Sequence, residues 1–362
     1  GVPLRVHGGR PYLVRPVALH WDADLTAGER RECGLMRVPV SWWGRPICTP
    51  VISFQHGTQV YRECAPSRFN ANPLAVLSSP DLTGALQNHV ECVVGALMAT
   101  AGYTVVMPDY QGFGDSTARH PYVNLVLGDS VVGALGAARA VLATRGVTPR
   151  EGLFLTGYSE GGYATMAGAL ALRAREVTVT KTIPCDGAYD LSGTMLAQMT
   201  SGQAAKGPSY LLYTAWGYHA VNPPLPLYDL LIDECASLVD WGLFDGTHAN
   251  AQVGYAVPAS TIPAHMRDPV TAPGLFAPGG SVHELLDDNN AWEGWGSAPP
   301  PVSVHCPLDD VVPFANATVA AGKLGATTKL VGYVPFVAQA MGSIHIAAFP
   351  TAMLEAFRII RE

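Results

Sequence analysis

Short apolar runs rich in β-branched residues alternate along the chain with longer stretches in which apolar positions recur every three or four residues. The short runs predict strands at Leu35–Val40, Pro50–His56, Tyr103–Pro108, Gly152–Gly157, Val177–Cys185, Pro301–Cys306 and Thr328–Val334. Most of them are apolar throughout, as a sheet covered on both faces requires. The longer stretches predict helices at Leu82–Ala101, Leu125–Thr144, Glu160–Arg173, Ala315–Lys323 and Ile346–Arg361. This rhythm is that of βα units, so the expected class is α/β with a mostly parallel sheet flanked by helices. Between Leu191 and Ala298 the rhythm stops, and Trp, Tyr, Pro and Leu crowd together in stretches such as SYLLYTAWGYHAV and DWGLF. A structureless loop of that length is rare in a compact domain, so residues 191–298 are expected to form a largely helical cap inserted into a core made of 1–190 and 299–362. A second domain unrelated to the chemistry is the plainer alternative.

Composition narrows the class. Of 362 residues, 48% are hydrophobic and 14% charged, which speaks against disorder and coiled coil. The formal charge is −7 and the 22 basic residues are scattered, so a phosphate-tracking surface for nucleic acid is not expected. No apolar stretch is long enough for an integral membrane segment. The chain starts without Met or a charged-then-apolar leader, which reads as a processed mature terminus or a cloning remnant. Cysteines 33, 48, 64, 92, 185, 235 and 306 contain no CxxC pair, which argues against a structural zinc site and for no metal. They could form up to three disulfides, with Cys64 and Cys92 near one helix start and Cys185 and Cys235 tying cap to sheet. Buried thiols in a reducing compartment fit equally well.

The strongest chemical signal is GLFLTGYSEGGYATMAGAL, where an apolar run enters Gly157-Tyr158-Ser159-Glu160-Gly161 and a small-residue helical pattern leaves it. A serine held on such a strand-turn-helix needs small neighbours, because the turn brings backbone segments close together. A structural turn is the bland reading. Serine hydroxyl is a weak nucleophile until a base takes its proton, and the base needs an orienting carboxylate. Among eleven histidines, His345 in AMGSIHIAAF lies between the last predicted strand and the final helix, where a site above the sheet would draw it. His56, His89 and His305 are better read as structural. Asp309 and Asp310 in VSVHCPLDDVVPF follow the penultimate strand, and the order Ser, Asp, His is the one this arrangement uses. For the oxyanion, the N–H of Glu160 at the helix start and the N–H of Thr58 after His56-Gly57 are the expected donors, with Gln59 as second choice. Tyr110 and Tyr158 are candidates to line the substrate pocket; Tyr110 fits a structural turn equally well.

In order and spacing, HGT, PDYQGFGDS, GYSEGG, LDDVVP and GSIH resemble the α/β-hydrolase superfamily, and within it the secretory lipases and related bacterial esterases, over roughly Cys33 to Arg361. The resemblance implies an eight-stranded sheet, a Ser-His-Asp triad of Ser159, His345 and Asp309, no cofactor, and a cap between the sixth and seventh strands that helps form an acyl pocket. It assigns the acid to Asp309 by the H-x-x-x-D-x-x-V-P pattern that starts at His305. Asp310 is then expected to turn to solvent or cap the following helix. Cys306 departs from the pattern, since relatives usually carry Gly there, and this bears on how the acid loop turns. The implied activity is hydrolysis of a small-molecule or lipid-like carboxylic ester, with peptidase or acyltransferase chemistry as the alternative and a non-catalytic binding protein a weaker one. Secretion or a periplasmic location is expected from the cysteine count and the resemblance.

Overall fold

Every residue of the strand Thr104–Pro108 is buried and its side chains alternate between two apolar clusters, Val105 and Met107 entering one and Val106 the other, so helices cover the sheet on both faces. The computed structural model describes residues 12–22, 31–41, 44–69, 80–201, 206–221, 231–257 and 273–362. Its strands are β1 (Leu13–Asp22), β2 (Arg31–Val40), β3 (Val51–Gln55), β4 (Thr104–Pro108), β5 (Leu153–Tyr158), β6 (Lys181–Cys185), β7 (Val302–His305) and β8 (Thr327–Leu330). They form one sheet in the order β1-β2-β4-β3-β5-β6-β7-β8. The pairs β1–β2 and β2–β4 are antiparallel and the rest parallel. Strand β1 is absent from the sequence-based expectation because it carries Arg15 and Pro16 and lies half-exposed at the sheet edge, where Pro is tolerated.

One face is covered by helices α1 (Leu82–Thr100) and α6 (Ile344–Arg361), whose Met98, Ala352 and Ile359 share one apolar cluster with Ile52 and Phe54 of the sheet. The other is covered by α2 (Leu127–Ala143) and α3 (Glu160–Ala174). Between β6 and β7 the chain forms α4 (Ser209–Val221) and shorter helices at Leu196–Thr200, Asp233–Asp240, Asn250–Ala256, Pro273–Phe276 and Ser281–Asp287. Helix α4 is apolar almost all round, which fits a helix buried between layers. Its Tyr213 hydroxyl donates to the Gln59 carbonyl and its Tyr218 hydroxyl to the Val123 carbonyl, so it lies against the loops beyond β3 and β4. Helix α5 (Ala315–Leu324) follows β7 and ends at Gly325 in the left-handed conformation.

All seven cysteines are free, so of the two readings left open by the sequence the structure has the thiols and not the disulfides. Cys92 Sγ donates to Asn88 Oδ1 and Cys185 Sγ to the Ile183 carbonyl. No helix among the described residues is long and apolar enough to cross a membrane.

Candidate active site

The parallel register aligns the carboxyl ends of three central strands, with Gln55 of β3 opposite Gly157 of β5 and Tyr158 of β5 opposite Cys185 of β6. The chain leaves β5 and turns at once into α3, and Ser159 takes the bend at φ 60° and ψ −122°, a strained backbone for a residue with a Cβ. The turn is possible because its neighbours lack side chains. A Cβ on Gly157 would lie 2.4 Å from the Gly161 carbonyl oxygen, and one on Gly161 would lie 2.1 Å from that of Gln55. The bend lifts Ser159 Oγ above the sheet, where it lies 2.8 Å from His345 Nε2.

His345 sits in the first turn of α6 with its Nδ1 2.5 Å from Asp309 Oδ2. A carboxylate oxygen accepts, so Nδ1 carries the hydrogen and the Nε2 lone pair faces the serine hydroxyl. The other Asp309 oxygen accepts the N–H groups of Val311 at 2.9 Å and Val312 at 2.8 Å. Burial pushes the Asp309 carboxyl up, but the imidazole and those two N–H donors outweigh it and hold the group below its usual range. Asp186, at the end of β6, moves the other way: burial first and then the negative Asp309 beside it hold its carboxyl well above the usual range. His305 shapes the same loop by donating from Nε2 to the Val312 carbonyl at 3.1 Å, and burial lowers it to about 4.

Asp310 neither faces solvent freely nor caps α5. Its Oδ1 accepts the His345 N–H and the Ser343 hydroxyl, both at 3.0 Å, and its Oδ2 lies 3.0 Å from Lys206 Nζ. The adjacent carboxylates therefore divide one histidine, Asp309 holding the ring and Asp310 the backbone. Cys306 is accommodated because its N–H donates to Asp186 Oδ1 at 2.8 Å and its carbonyl accepts from Asp309 N–H at 3.1 Å, closing the turn.

Thr58 lies in the loop after β3, and the preceding N–H, that of Gly57, is committed to Glu91 Oε1 at 2.8 Å. The Thr58 hydroxyl meets Tyr122 Oη at 3.1 Å and its carbonyl accepts from Gln87, so the loop is held on three sides. Gln59 is buried, with its carbonyl taken by Tyr213. Glu160 presents its N–H at the start of α3 while its side chain is buried, Oε1 lying 2.5 Å from His120 Nε2. His120 Nδ1 donates to the Gln111 carbonyl at 2.9 Å, so both ring nitrogens face acceptors and one proton lies between imidazole and carboxylate.

Tyr110 and Tyr158 do not form the pocket wall. Tyr110 is fully buried, its ring stacked on His56 at 4.2 Å and its hydroxyl donating to the His56 carbonyl at 3.0 Å, which props the Thr58 loop from behind. The Tyr158 hydroxyl donates to the His345 carbonyl at 2.6 Å. The cavity beside Ser159 has a volume of about 90 Å³, with Ala188, Leu191, Met195, Met199, Leu211 and Leu286 in its wall. Two larger hollows, of about 360 and 720 Å³, are lined by other residues around Arg173 and Arg139 and do not include Ser159.

Glu91, His120 and Asp186 were not anticipated from sequence. Glu91 leaves a trace there, as a lone carboxylate inside the apolar pattern QNHVECVVGAL, and Asp186 as an acid directly after a strand.

Residues 77–175 match the model of the secretory lipase family. No curated protein sequence matches the chain. Among solved structures, a Legionella pneumophila protein described as a hydrolase is similar at 23% identity and TM-score 0.79, covering 97% of this chain and 89% of that one. The ligand-bound rice cell wall degrading esterase LipA from Xanthomonas oryzae is similar at 20% identity and TM-score 0.72, covering 98% and 91%. Candida antarctica lipase A is similar at 16% identity and TM-score 0.59, covering 89% and 75%.

Proposed function

Starting from an α/β-hydrolase fold whose residues 77–175 match the secretory lipases, we propose that the chain is a serine hydrolase of carboxylic esters that works through an acyl-enzyme. The observation that carries this reading is the unbroken line from Ser159 Oγ through His345 to Asp309, with the serine on a strained strand-to-helix bend. Ser159 attacks the ester carbonyl while His345 Nε2 takes its proton, and the imidazolium formed is held by Asp309. The negative oxygen of the tetrahedral state is received by the N–H groups of Thr58 and Glu160, the second strengthened by the dipole of α3. His345 returns the proton to the leaving alcohol, and water repeats the sequence on the acyl-enzyme.

Residues 191–298 act as the cap. They supply most of the apolar wall, and an apolar wall gains affinity by burying hydrocarbon rather than sugar or charged peptide. The match to secretory lipases supports an extracellular or periplasmic location. Turnover of p-nitrophenyl esters from acetate to palmitate, measured beside aminoacyl anilides, tests the assignment. Turnover of the esters is expected, with anilides near background. Preferential anilide cleavage would move the chain to the peptidases.

A further inference from the structure

Away from Ser159, three side chains that share no sequence motif converge at the edge of the sheet. His20 of β1 stands directly opposite Cys33 of β2 in the antiparallel ladder, which puts both side chains on one face. Asp115 reaches them from the loop after β4, and that loop is hooked to the same strand by the Asp109 N–H, which donates to the Cys33 carbonyl at 2.9 Å. We propose that His20 Nδ1, Cys33 Sγ and Asp115 Oδ2 form a binding site for a divalent transition-metal ion of the zinc type.

The geometry carries the proposal. Zinc bonds of about 2.0–2.3 Å at tetrahedral angles place ligand atoms about 3.4–3.6 Å from one another. Here the sulfur lies 3.3 Å from the imidazole nitrogen and 3.6 Å from the carboxylate oxygen, and those two lie 3.8 Å apart. One point about 2.1–2.3 Å from all three atoms therefore exists without any rearrangement. The carboxylate is already oriented: Arg68 Nη2 lies 2.5 Å from Asp115 Oδ1, so only Oδ2 is turned to the site.

Charge and access agree with the distances. When the ion binds, the Cys33 S–H bond gives way to a sulfur–metal bond and the proton passes to solvent. Thiolate and carboxylate then neutralise the dication, and His20 ligates as a neutral imidazole. A thiolate and an imidazole select zinc or cobalt over magnesium or calcium. The His20 and Asp115 side chains are 53% and 40% exposed, which leaves the fourth vertex to water. The site would tie the edge hairpin to the loop that follows β4. Cysteine spacing points away from it because the ligands come from facing strands and a distant loop, 13 and 82 residues apart.

Cobalt(II) titrated into the reduced, metal-stripped full chain carrying Cys48→Ser, which removes the exposed thiol, reads the site without reference to activity. The expected result is a thiolate-to-cobalt charge-transfer band with the intense visible absorption of tetrahedral cobalt, reversed by one equivalent of zinc. Cys33→Ser should abolish the band, and His20→Gln, a half-exposed edge position that keeps the fold, should weaken binding at least tenfold. No thiolate band in the parent, or an undiminished band in Cys33→Ser, would overturn the proposal.

Discussion

Asp309 and Asp310 are neighbours in sequence and equally plausible acids by composition, yet their surroundings give them different tasks. Asp309 reaches the imidazole with one oxygen and spends the other on two backbone N–H groups, while Asp310 anchors the backbone that carries the imidazole. Asp309→Asn should lower kcat by about 10⁴ with little change in KM, because an amide at this position favours the wrong imidazole tautomer. Asp310→Asn keeps an acceptor for the His345 N–H and should cost a few-fold at most. Steady-state kinetics of the two variants separates the roles, and the reverse ranking would assign the acid to Asp310. The pattern beginning at His305 favoured Asp309 through the resemblance, since related hydrolases place their acid at the matching position. It gave no hint that Asp310 reaches across to His345, because that contact joins residues 35 positions apart.

Among the elements, α1 holds the loop beside Ser159 through one buried carboxylate. Glu91 accepts the Gly57 N–H, and burial, with Glu160 adding to it, pushes its carboxyl up from 4.5 to about 8. A folded-state value above the unfolded one means that the folded protein keeps a proton that the unfolded chain releases. This stabilising contribution is complete below about pH 4.5 and is lost as pH rises to about 8, on the order of 5 kcal/mol over the window. Glu91→Gln keeps the acceptor and removes the titration. Thermal melts should therefore show the variant gaining on the wild type between pH 5 and 9; parallel profiles would contradict a protonated Glu91. The central strands and the covering helices were legible because their apolar positions repeat at the sheet and helix periods. Strand β1 was not, because an edge strand with Arg15, Pro16 and His20 exposes too much surface to carry an apolar signature. Tyr110 was left between pocket and structural turn, and Tyr158 given to the pocket, for a related reason: an aromatic residue at a strand end reads the same whether it faces a substrate or props a loop.

Across the entire chain, the described residues of the segment between β6 and β7 share their apolar packing with the helices that cover the sheet. Leu212, Tyr213, Val239 and Val253 belong to the same apolar cluster as Leu127 of α2 and Ala164 of α3. Asn290 Oδ1 accepts the N–H groups of Leu191 and Ser192, and Tyr163 of α3 donates to the Asn289 carbonyl, so both ends of the segment are bound to one another and to the sheet layer. Its existence was legible as a break in rhythm and its helical character from its length, but the bounds of its helices and their contacts were not, since aromatic crowding has no period. The reading of the chain as a serine hydrolase stands or falls on Ser159. A fluorophosphonate added to the intact protein and located by peptide mass mapping should modify Ser159 alone, with loss of ester turnover in step with labelling. Ser159→Ala should remove both while leaving the circular dichroism spectrum unchanged. Labelling at another serine, or ester turnover that persists in Ser159→Ala, would contradict the account.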